Sequence, residues 1–204
     1  MAFSDFTYPS VLTEFGLTER GAYLFPGVPP VAPSAAFNAR FDRNTQLAVL
    51  INTEKARSEY LIAPVLGELW EPNTRIGLHS GVEFPADPEA RLTGFCDFIL
   101  GHGPQVPRVH APVLMVVEAK NEKISDGYGQ CIAAMVGAVR FNRREGTEVP
   151  AIYGCVTSGM MWRFLRLTDG VVTFDLNEYT LAPVDRILGI LTHIIGPLPQ
   201  PAAA

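Results

Sequence analysis

Glu118-Ala119-Lys120 follows directly on the apolar run Pro112-Val113-Leu114-Met115-Val116-Val117. Such a run reads as a buried strand, and period-two alternation points Glu118 and Lys120 to one face where the strand runs out. A second run, residues 92–100, carries a single carboxylate, Asp97, in its middle. An ionised carboxylate buried alone is strongly unfavourable, so Asp97 needs a compensating partner. Two converging carboxylates are best compensated by a divalent cation. Lysine is scarce, with Lys55, Lys120 and Lys123 the only ones in the chain, which sets Lys120 apart from ordinary surface charge. Two readings stand on spacing alone: a metal site, or a polar strand end with Asp97 at a bulge or edge.

The elements around these residues follow from periodicity. From about residue 36 to 70 the apolar spacing is helical, with Leu47, Leu50, Ile51, Leu61, Ile62, Val65 and Leu69 on one stripe. At ~100° per residue Glu54 falls inside that stripe and Glu59 on its flank. Either Glu54 is an acid centred on an apolar face, or the helix breaks near Asn52-Thr53 and frees it as a surface or capping residue; Glu59 is then the alternative helix acid. Pro64 should kink the helix. Strands are expected at about 77–84, 92–100 and 112–118, then a second helix over about 128–142 that carries Gln130 on its inner side. Further strands fit 152–157, 161–167 and 171–175, with Asp169-Gly170 as a hairpin turn. A last helix over 184–195 ends at Gly196-Pro197. This order gives one α/β domain with a mixed sheet, with Asp97, Glu118, Glu54 and Gln130 able to meet at one sheet edge. Residues 1–35, rich in Pro and aromatics, form an N-terminal arm packed across the domain or a neighbouring subunit; residues 36–197 form the domain and 198–204 a tail.

Composition narrows the chemistry. The 204 residues are 48% apolar, enough for a real core. No stretch reaches the ~18 uncharged apolar residues of a membrane span, and no signal sequence opens the chain, so a cytoplasmic location is expected. Cys96, Cys131 and Cys155 sit in apolar surroundings as reduced core thiols. His79, His102, His110 and His193 form no transition-metal spacing. The net charge of −5 demands that any nucleic-acid surface be local, from arginines such as Arg140, Arg143 and Arg144, which equally suit a solvated helix end.

With Asp97 after Gly94-Phe95-Cys96, Glu118-Ala119-Lys120, and Gln130 one turn into the next helix, the chain resembles the PD-(D/E)xK nucleases. Thr53-Glu54 with Leu61-Ile62-Ala63-Pro64-Val65-Leu66, and the run Gly154 to Phe164 with Thr157, Gly159 and Trp162, resemble the N-terminal nuclease domain of type I restriction motor subunits. The stretch Val117 to Met135 also resembles a small stand-alone family common in cyanobacteria. The resemblance covers residues 45–175 and implies a restriction-endonuclease-like fold, a mixed central β-sheet flanked by helices. It implies a metal-dependent endonuclease that hydrolyses DNA phosphodiester bonds, with Mg²⁺ or Mn²⁺ held by Asp97, Glu118 and the Ala119 carbonyl. Lys120 would orient water or stabilise the transition state, Gln130 would hold lysine, water or phosphate, and Glu54 would be a further carboxylate. DNA would be bound weakly by the chain alone, and a homodimer or a partner protein that supplies targeting is compatible with this. Cys96 stands where the family has its proline, and there is no P-loop, so the chain has no motor. The alternative is a nuclease fold used as a DNA- or protein-binding module with little or no cleavage.

Overall fold

In the computed structural model, which describes residues 2–70 and 75–196, eight strands form one mixed sheet. They are β1 (Thr18–Ala22), β2 (Ile76–Glu83), β3 (Phe95–His102), β4 (Val113–Ala119), β5 (Ile152–Thr157), β6 (Met161–Thr168), β7 (Val171–Asp175) and β8 (Tyr179–Thr180). Their order is β1-β7-β6-β5-β4-β3-β2, with β8 pairing β6 off this path. β4–β5 and β1–β7 are parallel, and the other pairs are antiparallel. The helices are α1 (Ser10–Phe15), α2 (Ala35–Ile51), α3 (Glu54–Arg57), α4 (Ala63–Trp70), α5 (Tyr128–Arg144) and α6 (Asp185–Ile195).

Two cores fill the two sides of the sheet. On one, α5 and residues of the N-terminal segment, Phe3, Phe6, Val11 and Leu12, cover Ile99, Val116 and Val156. On the other, α4 and α6 cover Phe98, Leu100, Met115 and Val117. The alternation of β3 and β4 between these sets is the period-two pattern of a sheet buried on both faces. α5 crosses between the parallel strands β4 and β5, as a parallel pair requires. It lies close because small residues face its neighbours. A Cβ on Gly154 would sit 2.5 Å from Met135 Sδ, and one on Gly129 would run into the Phe6 carbonyl oxygen.

The segment expected as an arm packs across the domain and also adds β1, an edge strand in parallel register with β7 from Thr18↔Val171 to Ala22↔Asp175. The opposite edge strand, β2, is blunted: the Gln105 amide donates to the Leu78 carbonyl at 2.8 Å and accepts from its N–H at 2.9 Å.

The single helix expected over 36–70 is not one helix. α2 stops at Asn52, whose φ of 53° is left-handed, and its N–H closes on the Ala48 carbonyl. Thr53 then caps α3, its hydroxyl accepting from the Ala56 N–H at 3.1 Å. α3 passes through a π-helical turn, Ser58–Ile62, into α4. The apolar stripe continues across this break, so periodicity left both readings open; the structure has the break near Asn52-Thr53, with Glu54 at an exposed helix start instead of inside an apolar face. No helix among the described residues is long and apolar enough to cross a membrane. The expected tail, 198–204, lies outside the described residues.

Candidate active site

β3 and β4 pair with Phe98 opposite Val117 and Ile99 opposite Val116. One step further along this antiparallel register, Asp97 and Glu118 fall side by side on the face covered by α5. Asp97 is half-buried and Glu118 is buried. Asp97 Oδ2 accepts from the Ala119 N–H at 2.8 Å, so the side chain closes the strand pair where main-chain pairing ends. The Lys120 N–H donates to the Thr157 carbonyl at 2.8 Å, which anchors the end of β4 to β5. From there Lys120 Nζ reaches back to Glu118 Oε1 at 2.6 Å. Its stem lies against Gly127, where a Cβ would be 3.2 Å from both Lys120 Cγ and Cε. The missing side chain of Gly127 is what leaves room for the lysine.

The electrostatics are those of crowded acids. Burial, then the Asp97 carboxylate beside it, push the Glu118 carboxyl up to about 8, against the pull of Lys120. Burial acts to lower the Lys120 ammonium, but Glu118, with Glu54 and Asp97, outweighs it and holds the lysine above its ordinary value. Glu54 therefore acts on the same ammonium from the start of α3, although it is exposed. Glu59, the alternative helix acid, pairs with Lys55 at 2.9 Å on the solvent side.

Two residues that spacing did not single out, Arg57 and Asn121, hold this arrangement. Arg57 donates to the Ser158 carbonyl at 3.2 Å and to Asn52 Oδ1 at 3.0 Å, and Asn121 Nδ2 donates to the Asn52 carbonyl at 3.4 Å. They tie the Asn52–Glu54 turn to the ends of β4 and β5. Behind them the β5–β6 turn is fixed by Thr157 Oγ1, which accepts from the Gly159 N–H at 2.9 Å, and by Trp162 Nε1, which donates to the Gly159 carbonyl at 2.9 Å. Gly159 has a φ of 80°, and a Cβ there would press on Leu61 at 2.9 Å. The two segments that flank the site in sequence thus pack on each other. Gln130 lies half-buried in the first turn of α5, and its amide bonds neither Glu118 nor Lys120.

Asp97 and Glu118 suit a hard divalent cation. Both donors are oxygens, and Glu118 is driven towards protonation, so a cation between the carboxylates can do what the proton does. Among the described residues no three His, Cys, Asp or Glu side chains group to hold an ion. The remaining ligands of an octahedral Mg²⁺ would be main-chain oxygen, such as the Ala119 carbonyl, together with water. Cys96, Cys131 and Cys155 are free and buried, and burial raises each thiol, which leaves them inert. No protein-family model, curated protein or solved structure matches this chain, so the site stands on its own geometry.

Proposed function

We propose that this protein is a metal-dependent endonuclease of restriction-endonuclease-like fold that hydrolyses DNA phosphodiester bonds. The observation that supports this best is the convergence of Asp97, Glu118 and Lys120 at the ends of neighbouring strands, with the ammonium 2.6 Å from a buried carboxylate. A scaffold has no physical need for two facing acids that repel each other. Asp97, Glu118 and the Ala119 carbonyl would hold Mg²⁺ or Mn²⁺. When bound, the ion supplies a water of lowered pKa and neutralises charge on the phosphate. Lys120, held at the Glu118 carboxylate, would donate to the attacking water or a phosphate oxygen. After Glu118, Glu54 adds to the field that favours the lysine ammonium, and Gln130, with no partner among the described residues, is available to a phosphate or water.

The net charge of −5 favours a second reading, a binding module of the same fold with little cleavage, because few phosphate contacts are available. Cleavage assays at low salt with Mn²⁺ and with EDTA separate the two. The endonuclease reading expects wild-type cleavage that EDTA abolishes, Lys120→Ala that binds Mn²⁺ without cleaving, and Asp97→Asn that does neither. Equal cleavage by wild type and Lys120→Ala would refute it, and Mn²⁺ binding without cleavage would leave the module.

A further inference from the structure

A cavity of about 220 Å³ lies between α2 and the π-helical turn that leads into α4, away from the three converging side chains. It is smaller than the ~300–1,000 Å³ of drug-sized ligand sites, so it suits a single ring system. Phe37, Phe41 and Tyr60 line it with ring surface, the first two with centroids 5.5 Å apart. Arg40, Asn44 and Thr45 line it with polar groups, and so does Glu68, whose carboxylate accepts from the Ser34 N–H at 2.7 Å and from its hydroxyl at 2.8 Å. Thr45 Oγ1 is buried without a hydrogen-bond partner, an arrangement that folded proteins seldom leave uncompensated. Arg40 and Asn44 likewise have no hydrogen-bond or ion-pair partner among the described residues, and neither has Arg43 one turn outward. Arg40 and Arg43 are exposed, so their guanidinium groups are open to an anion from solvent. Tyr60, which lines the cavity, sits in the π-helical turn Ser58–Ile62, an irregularity of a kind that recurs at functional sites.

Ring faces to stack on, an amide and a hydroxyl to meet a polar ring edge, and a cation at the mouth together describe one chemistry. We propose that this cavity binds a nucleotide, with its base among Phe37, Phe41 and Tyr60, the base edge on Asn44 and Thr45, and its phosphate on Arg40. A benzenoid ring would leave Asn44 and Thr45 unpaired, and bare phosphate would leave the rings unused. Glu54 and Tyr60 are six residues apart, about 9 Å at helical rise, so the same chemistry can come from a free nucleotide or from a strand that continues towards Asp97 and Glu118. The inference goes beyond the cleavage reading, and none of its residues belongs to that site.

Titration calorimetry of the full chain in EDTA tests it without cleavage. The ligands are deoxyadenosine and deoxycytidine monophosphates, the two nucleosides, inorganic phosphate and benzoate. The proposal expects at least one monophosphate to bind about tenfold tighter than its nucleoside, phosphate or benzoate. Arg40→Glu, at an exposed helix position outside both cores, should weaken the monophosphate about tenfold or more and leave the nucleoside unchanged. Tyr60→Ala and Thr45→Val should weaken both; if either fails to fold, Arg40→Glu still decides. Tighter binding of a short single-stranded oligonucleotide assigns the cavity to a strand, and equal binding to a free nucleotide. Absence of binding at millimolar monophosphate, equal binding of benzoate, or indifference to Arg40→Glu overturns the proposal.

Discussion

Glu118→Gln should remove the pH dependence that two facing acids impose on a metal-free fold. Glu118 is 5% exposed, and its carboxyl moves from 4.5 in the unfolded chain to about 8 in the folded protein. Below 4.5 both states hold the proton and the folded state has its full advantage. Between 4.5 and about 8 the unfolded chain releases the proton while the folded protein keeps it, so stability falls as pH rises. Above about 8 both are ionised, and the folded protein bears the whole cost of a buried charge beside Asp97. The shift corresponds to at most about 5 kcal/mol. The substituted amide has the same shape as the carboxyl and no proton to lose, although it leaves Lys120 without its 2.6 Å partner. Urea unfolding in EDTA, near pH 5 and again near pH 8.5, should show the variant gaining about 2–4 kcal/mol on the wild type between the two conditions. Saturating Mg²⁺ should erase that gain by stabilising the wild type alone. Parallel pH dependence of the two proteins would refute the account of the site's electrostatics.

Gly127→Ala places a Cβ 2.6 Å from Val156 Cγ1 and against the Lys120 stem; it should cost about 1–3 kcal/mol by urea unfolding and lower cleavage further than the stability loss explains. Gly129→Ala forces main chain from main chain at the Phe6 carbonyl, so it should destabilise by about 1–3 kcal/mol or more and speed proteolysis before residue 17; an unchanged melt would contradict the packing. Gly67→Ala, inside α4 with nothing within 4 Å of the new Cβ, should instead stabilise by about 0.5–1 kcal/mol in the same assay. Arg57→Lys keeps charge but cannot make both bonds to Ser158 and Asn52; it should shift the pH profile of cleavage by loosening Glu54 from Lys120, and Arg57→Ala should shift it at least as far.

The strands from β2 to β7 were legible because their apolar runs are bounded by strong turns. Asp169 and Gly170, both at positive φ, make the tight hairpin that their types suggest. β1 was not legible: Thr18-Glu19-Arg20-Gly21-Ala22 is polar and mostly exposed, and only its distant partner makes it a strand. The break at Asn52 was legible only as one of two readings, because the apolar stripe continues on either side of it. Residue types and strand alternation were enough to bring Asp97, Glu118 and Lys120 together. Arg57, Asn121 and Gly127 were not legible, because their importance lies in what they touch across the fold. A glycine that makes room for a lysine stem has no local signal. Cavity-lining residues such as Asn44 and Thr45 read as ordinary helix positions until the neighbouring π-helical turn is in place.

The pairing of β1 with β7 also sets an order of events during synthesis. Arg20 Nε donates to Thr173 Oγ1 at 3.2 Å across 153 residues of chain, so the edge strand cannot close until β7 has left the ribosome. Phe3 and Phe6 can settle on α5 much earlier, once Gly129 and Gly137 are available to receive them. A nascent chain would thus carry an N-terminal segment docked at one end and free at the other, with the β7 edge open to mispairing in the interval. Closing late for want of local contacts, β1 is also the strand that should open first when the finished protein fluctuates.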